Sequence, residues 1–115
     1  MAAVHNITIE QGATFRLSAI WKDAGGTPIN LTGYTARMMV RRTYKDAAPL
    51  LTFTTENGAI VLGGSAGTVE VTGLATLTDD VPAKSCVWDI ELVSPTGFVK
   101  RLLEGVAVVT PEVTK

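Results

Sequence analysis

The chain contains one histidine, His5, and one cysteine, Cys86, which narrows the chemistry it can do. A triad hydrolase needs a nucleophile, a base and an acid that orients the base. His5 sits near the N-terminus, far in sequence from Cys86 and from any serine in a strained turn. A zinc site wants three or four cysteine or histidine ligands, so one of each excludes such a site within a single chain. Cys86 cannot form an intramolecular disulfide. It opens a strongly apolar stretch with no thiolate-stabilising neighbour close by, and reads as a buried thiol. Asp79-Asp80 is the one adjacent carboxylate pair. Within TLTDDVPA, residues 76–83, a threonine-capped helical turn is expected, limited by Pro82. Neighbours in such a turn point apart, which suits a solvated helix start and not acid–base catalysis. Thr76, Thr78 and Pro82 add no calcium ligands at alternating positions. The loop Gly63-Gly64-Ser65-Ala66-Gly67 lacks the Lys-Ser/Thr ending of a phosphate loop and leads into a strand, so it reads as a flexible hairpin. No catalytic residue, metal or cofactor is expected, and no enzymatic activity.

The remaining chemical feature is basic. Arg37, Arg41, Arg42 and Lys45 form the one cluster of cations, with Arg37 and Arg41 on one face of an expected strand. A nucleic-acid site would want interleaved aromatics for stacking, and Tyr44 alone supplies little. A formal net charge of −1 also argues against binding through phosphate neutralisation. Two readings stand: a solvated face, or a rim of arginines against an acidic protein neighbour. On the second, the candidate partner interface is Arg37, Met39, Arg41, Arg42 and Ile20. A carbohydrate module would present an aromatic platform, but Trp21 and Trp88 fall on inward positions, leaving only Phe98 and Tyr44 near loops.

Period-two alternation positions these residues, with almost no helical periodicity. Strands are expected at His5 to Glu10, Thr14 to Lys22, Tyr34 to Arg42, Leu50 to Thr55, Ala59 to Leu62 and Thr68 to Thr72. In the second of these Phe15, Leu17, Ala19 and Trp21 face inward and Ile20 outward; in the third Tyr34, Ala36, Met38 and Val40 face inward. Glu56-Asn57-Gly58 suggests a tight hairpin turn. Val87 to Val93 and the segment after Phe98 form the clearest hairpin, through Ser94-Pro95-Thr96-Gly97. Its expected register sets Val93 against Val99, Glu91 against Arg101 and Ile90 against Leu102, leaving Lys100 opposite Leu92. Gly105 is expected to bend the chain, and Val106 to Thr110 to follow as an exposed edge strand, a natural place for another chain to pair.

At 115 residues with 46% hydrophobic content, this is one domain with a feasible core. No apolar run approaches the ~18 residues of a membrane helix. The start MAAVHNITIEQG does not read as a signal peptide, so synthesis in a cytoplasm without export is expected. Seven or eight short strands indicate an all-β, antiparallel sandwich or a small barrel, and the tryptophans, placed as core anchors, favour the sandwich.

Two phrases carry a family resemblance: WKDAGGTPINLTGYTARMMVRR from Trp21 to Arg42, and DIELVSPTGFVKRLLEGVAVVTPEVT from Asp89 to Thr114. The first, with its G-x-P-x-x-L-T-G-Y core, resembles the opening strands of immunoglobulin-like domains in phage baseplate and tail proteins. Together they resemble small virion proteins of tailed phages, whose first half is similar to the N-terminal domain of baseplate upper proteins. The resemblance implies an immunoglobulin-like sandwich and a structural role in the virion, as a tail, baseplate or fibre-attachment adaptor. It implies docking to other virion proteins in a symmetric, multi-copy assembly, with no nucleic acid and no membrane. Capsid decoration, a neck protein or a sugar-binding module are the alternatives.

Overall fold

The computed structural model describes residues 3–46, 48–79, 81–82 and 84–113. Asp80 and Ala83 of the expected helical turn lie outside these residues. The first strand is split in two: β1 (Ala3–Val4) and β2 (Ile7–Glu10). Then follow β3 (Phe15–Ile20), β4 (Thr35–Arg41), β5 (Leu51–Thr54), β6 (Ile60–Leu62), β7 (Thr68–Gly73), β8 (Ser85–Val93) and β9 (Val99–Thr110). One short helix, α1 (Ala75–Thr78), lies between β7 and β8.

Alternation decides which face each strand buries. Ala36, Met38 and Val40 are buried on β4, and Cys86, Trp88, Ile90 and Leu92 on β8; Ile7, Ile9, Leu51, Phe53, Ala107 and Val109 belong to the same layer. Phe15, Val69, Val71 and Ile60 face them from β3, β7 and β6. Phe15 and Phe53 stack across the middle, ring centres 6.1 Å apart. The larger sheet runs β1-β9-β8-β4-β5 with β2 also on β9, and the smaller runs β3-β7-β6. Lettered B, C, C′, D, E, F and G in chain order, β3 to β9 place B-E-D in one sheet and G-F-C-C′ in the other. That is the immunoglobulin-like sandwich arrangement. Here no disulfide joins the two sheets, because the lone cysteine, Cys86, is buried and free.

The sandwich is mixed and not wholly antiparallel, and the last strand is not an edge. β1 and β2 run parallel to β9, pairing Ala3 with Leu103 and Ile7 with Ala107. This covers the valine-rich strand expected to be open. Nor does Gly105 end a strand: β9 continues through it, and the partner strand breaks instead. At His5-Asn6 the ladder is interrupted without a change of register; the His5 N–H donates to Glu104 O (2.8 Å) and the Val106 N–H to Asn6 Oδ1 (3.0 Å). A Cβ on Gly105 would run into His5 O, so this position needs a glycine for close approach.

The β8–β9 hairpin closes as expected: the Ser94 N–H donates to Phe98 O (2.8 Å), and Gly97 is left-handed at φ 91°. Glu91 pairs with Arg101 and Leu92 with Lys100, but Ile90 pairs with Leu103, not Leu102. Leu102 is the extra residue of a bulge. Without it, Glu104 would face inward behind Trp88; with it, Glu104 meets Asp89 outside and Gly105 backs the indole.

Two further local expectations are corrected. Asn57-Gly58 does not close a hairpin, since β5 pairs with β4 and β6 with β7, so the turn carries the chain between sheets. Only Gly58 has positive φ there, whereas a type I′ turn needs it at both central residues. Asn57 instead accepts the Thr54 and Ala59 N–H groups on its side chain. In α1, Leu74 is the N-cap with no side-chain bond, and Asp79 lies at the C-terminal end. The threonine hydroxyl is used elsewhere: buried Thr78 donates to Ala13 O at 2.8 Å. The glycine loop does close the β6–β7 hairpin, through a 3-10 turn at Gly64–Ala66.

Candidate functional site

On the outer face of the larger sheet lies a groove of about 590 Å3, between β4, β8, β9 and the N-terminal strand. Strand alternation builds it: the residues whose neighbours fill the core point outward here. Met39 and Val87, half-buried, form its apolar floor with Val106, over the edge of Trp88 and Gly105. Val4 and Asn6 wall one side, Arg41 and Tyr44 the other, with Tyr44 at 88% exposure. The indole N–H of Trp88 donates to His5 O at 2.9 Å, which ties the N-terminal wall to the floor.

The charges form two groups. Arg101 bridges Asp89 (3.3 Å) and Glu104 (3.2 Å), so one cation serves two carboxylates. Arg37 pairs with Glu91 at 3.1 Å. These pairs are substantially exposed, and pairs of that kind contribute at most about 1 kcal/mol each. Partial burial pushes the Asp89 carboxyl above the ordinary range; Glu91 and Glu104 push the same way, while Arg101 and Arg41 pull it back. The Arg41 guanidinium is held at the groove's far wall, donating to Asp46 O (2.7 Å) and to Met39 Sδ (3.3 Å).

The structure brings Arg37, Met39 and Arg41 onto one face, with Arg42 at the corner where β4 ends. Ile20 is outward and 55% exposed, as expected, but it lies on β3 in the smaller sheet and cannot share their surface. The loop aromatics form no platform either. Tyr44 lies beyond the Arg41–Val87 end of the β4–β8 pair, whereas Phe98 is beside Val93 at the other end, roughly 20 Å away. Asp89 and Glu104 were not singled out in the sequence, and Val106 only as the start of the last strand. Their convergence depends on the Leu102 bulge, which no local pattern announces.

Among the described residues, no group of three or more His, Cys, Asp or Glu side chains could hold a metal ion. The Cys86 thiol is 2% exposed and pushed up by burial, against the partial pull of Lys84 and Arg42. No helix among the described residues is long and apolar enough to cross a membrane.

No family model matches the chain. No curated protein matches it either. Among solved structures, the extracellular domain of the voltage-gated sodium channel beta4 subunit aligns over 98% of this chain and 96% of its own. The identity is 9% and the TM-score 0.45. The fold assignment rests on the strand order.

Proposed function

We propose that this chain is a non-enzymatic docking domain, a structural subunit of a tailed-phage virion that attaches to neighbours in the tail or baseplate. The groove is the observation that carries the docking part of this reading. Its floor is apolar and its rim is charged with both signs, the anatomy of a protein contact: an apolar centre with a polar surround. The half-buried Met39 supplies adaptable apolar surface, and Tyr44 a large side chain with few rotors to immobilise. Its carboxylates are each engaged by an arginine, which suits a surface and not a reaction centre. The virion setting comes from the resemblance of the Trp21–Arg42 and Asp89–Thr114 phrases to phage tail and baseplate domains. On this reading the chain works by shape and by many copies held in register.

Quantitative mass spectrometry of purified particles tests the setting. A fixed copy number per particle, well below that of the capsid protein, is expected. Particles that lack this chain altogether would remove the virion assignment.

A further inference from the structure

The two charge groups on the groove face are complementary to each other, and this suggests what one occupant of the groove is. At the corner after β4, Arg41, Arg42 and Lys45 accompany a single carboxylate, Asp46. Along β8 and β9, Asp89, Glu91 and Glu104 share only two arginines, Arg37 and Arg101. One end of the face therefore carries excess positive charge, and the adjoining stripe excess negative charge. Between them lies the apolar floor of Met39 and Val87.

We infer that the groove face is a two-fold interface between two copies of this chain, each copy's basic corner seated over the other's acidic stripe. The inference rests on the docking reading of the groove. A two-fold axis lying in the plane of the interface, along the diagonal from Met39 to Val87, turns the two faces toward each other and exchanges the basic corner with the acidic stripe. It brings unlike charges together twice, which is the condition an isologous contact must meet. Two like-charged ends would instead repel on encounter. Tyr44, projecting at the corner with 88% exposure, then reaches the partner's groove. A second cation beside Asp89 and Glu104 also relieves a cluster in which one guanidinium now serves both carboxylates. The N-terminal strand supports the same face. Val4 is 74% exposed beside the groove, so apolar contact extends beyond the floor.

Sedimentation velocity of the whole chain tests this, read against charge reversals at exposed positions. Wild type is expected to dimerise in the micromolar range and to weaken about tenfold or more between low and high salt, as screened charge pairs do. R42E/K45E alone and E104K alone are each expected to be monomeric, with melting temperatures close to wild type. An equimolar mixture of the two is expected to regain a dimer, because reversed corner then meets reversed stripe. Three results would overturn the inference: a wild type that stays monomeric at several hundred micromolar in low salt; a dimer that survives both reversals; or variants that are monomeric alone and fail to recover on mixing. Loss of the dimer would leave the particle measurement untouched, and absence from particles would leave the dimer untouched.

Discussion

At the scale of single residues, Asp89 shows how burial and pairing compete on this face. Its carboxyl is raised chiefly by partial burial, against the pull of Arg101. A carboxylate whose folded pKa is raised binds its proton more tightly in the native state than in the unfolded chain. Its contribution is therefore fully present below the unfolded value, about 3.9, and is lost as pH rises through the folded value. Asp89→Asn removes this titration and leaves the other carboxylates in place. The melting temperature of wild type minus that of Asp89→Asn is expected to fall as pH climbs from about 3.5 to 7. The change should be of the order of a degree or two, because the group is partly solvated. Dilute protein, below the dimer range, keeps association out of the comparison. A difference that grows with pH would mean that the Arg101 pair outweighs burial. Cys86 is a simpler case. Its place at the start of an apolar strand already announced a buried thiol, and burial is what the structure gives it.

At the scale of elements, the contact between β1–β2 and β9 is the feature that most changes the molecule's surface. It turns the last strand from an edge into an interior strand, and it depends on the absence of one side chain at residue 105. Gly105→Ala would drive a methyl group into His5 O and Asn6 Oδ1, both of which are held by hydrogen bonds to β9 or Trp88. The backbone must shift or the clamp must open, at a cost of about 1–3 kcal/mol. Thermal unfolding should then begin about 5–10 °C lower. Hydrogen exchange should be faster at His5 and Val106 in particular. A Gly105→Ala protein that melts with wild type would show that the close approach is not needed. The sequence carried much of this layer. Alternation named the buried side of β3, β4 and β8 correctly because one-sided burial imposes period two. It could not show that β1 and β2 pair parallel with β9, since parallel neighbours leave no turn between them to read. The Leu102 bulge was hidden for a related reason: Ile90 opposite Leu102 is as good an apolar pair as Ile90 opposite Leu103. Only the positions further along, Glu104 and Gly105, decide between them, through what each would place behind Trp88. The site followed suit: Arg37, Met39 and Arg41 were legible from one strand and Glu91 opposite Arg101 from the hairpin, but Glu104 beside Asp89 only once β9 was in register.

At the scale of the whole molecule, the chain's two ends must meet for the larger sheet to be completed. Ile7 pairs with Ala107 and Glu10 with Thr110, and Gln11 joins the same seam by accepting the Glu112 N–H on its side-chain oxygen. Contacts between residues so far apart are costly to close, and sandwiches dominated by them fold in roughly milliseconds to seconds. The β8–β9 hairpin has no such delay, because its three-residue loop closes locally. It must also come first for a geometric reason. The notch that receives His5-Asn6 exists only once the bulge has put Gly105 behind Trp88. β2 is therefore expected to dock after the main barrier, and β8 before it. Ile9 and Ile90 are both essentially fully buried, so Ile→Val at either should cost about 0.5–1.5 kcal/mol. Stopped-flow tryptophan fluorescence in urea separates the two. Ile9→Val should leave the folding arm almost unmoved and speed unfolding, whereas Ile90→Val should slow folding by a substantial share of its destabilisation. If Ile9→Val slowed folding as much as Ile90→Val, the terminal strand would belong to the nucleus, and the order of assembly inferred from the Gly105 notch would be wrong.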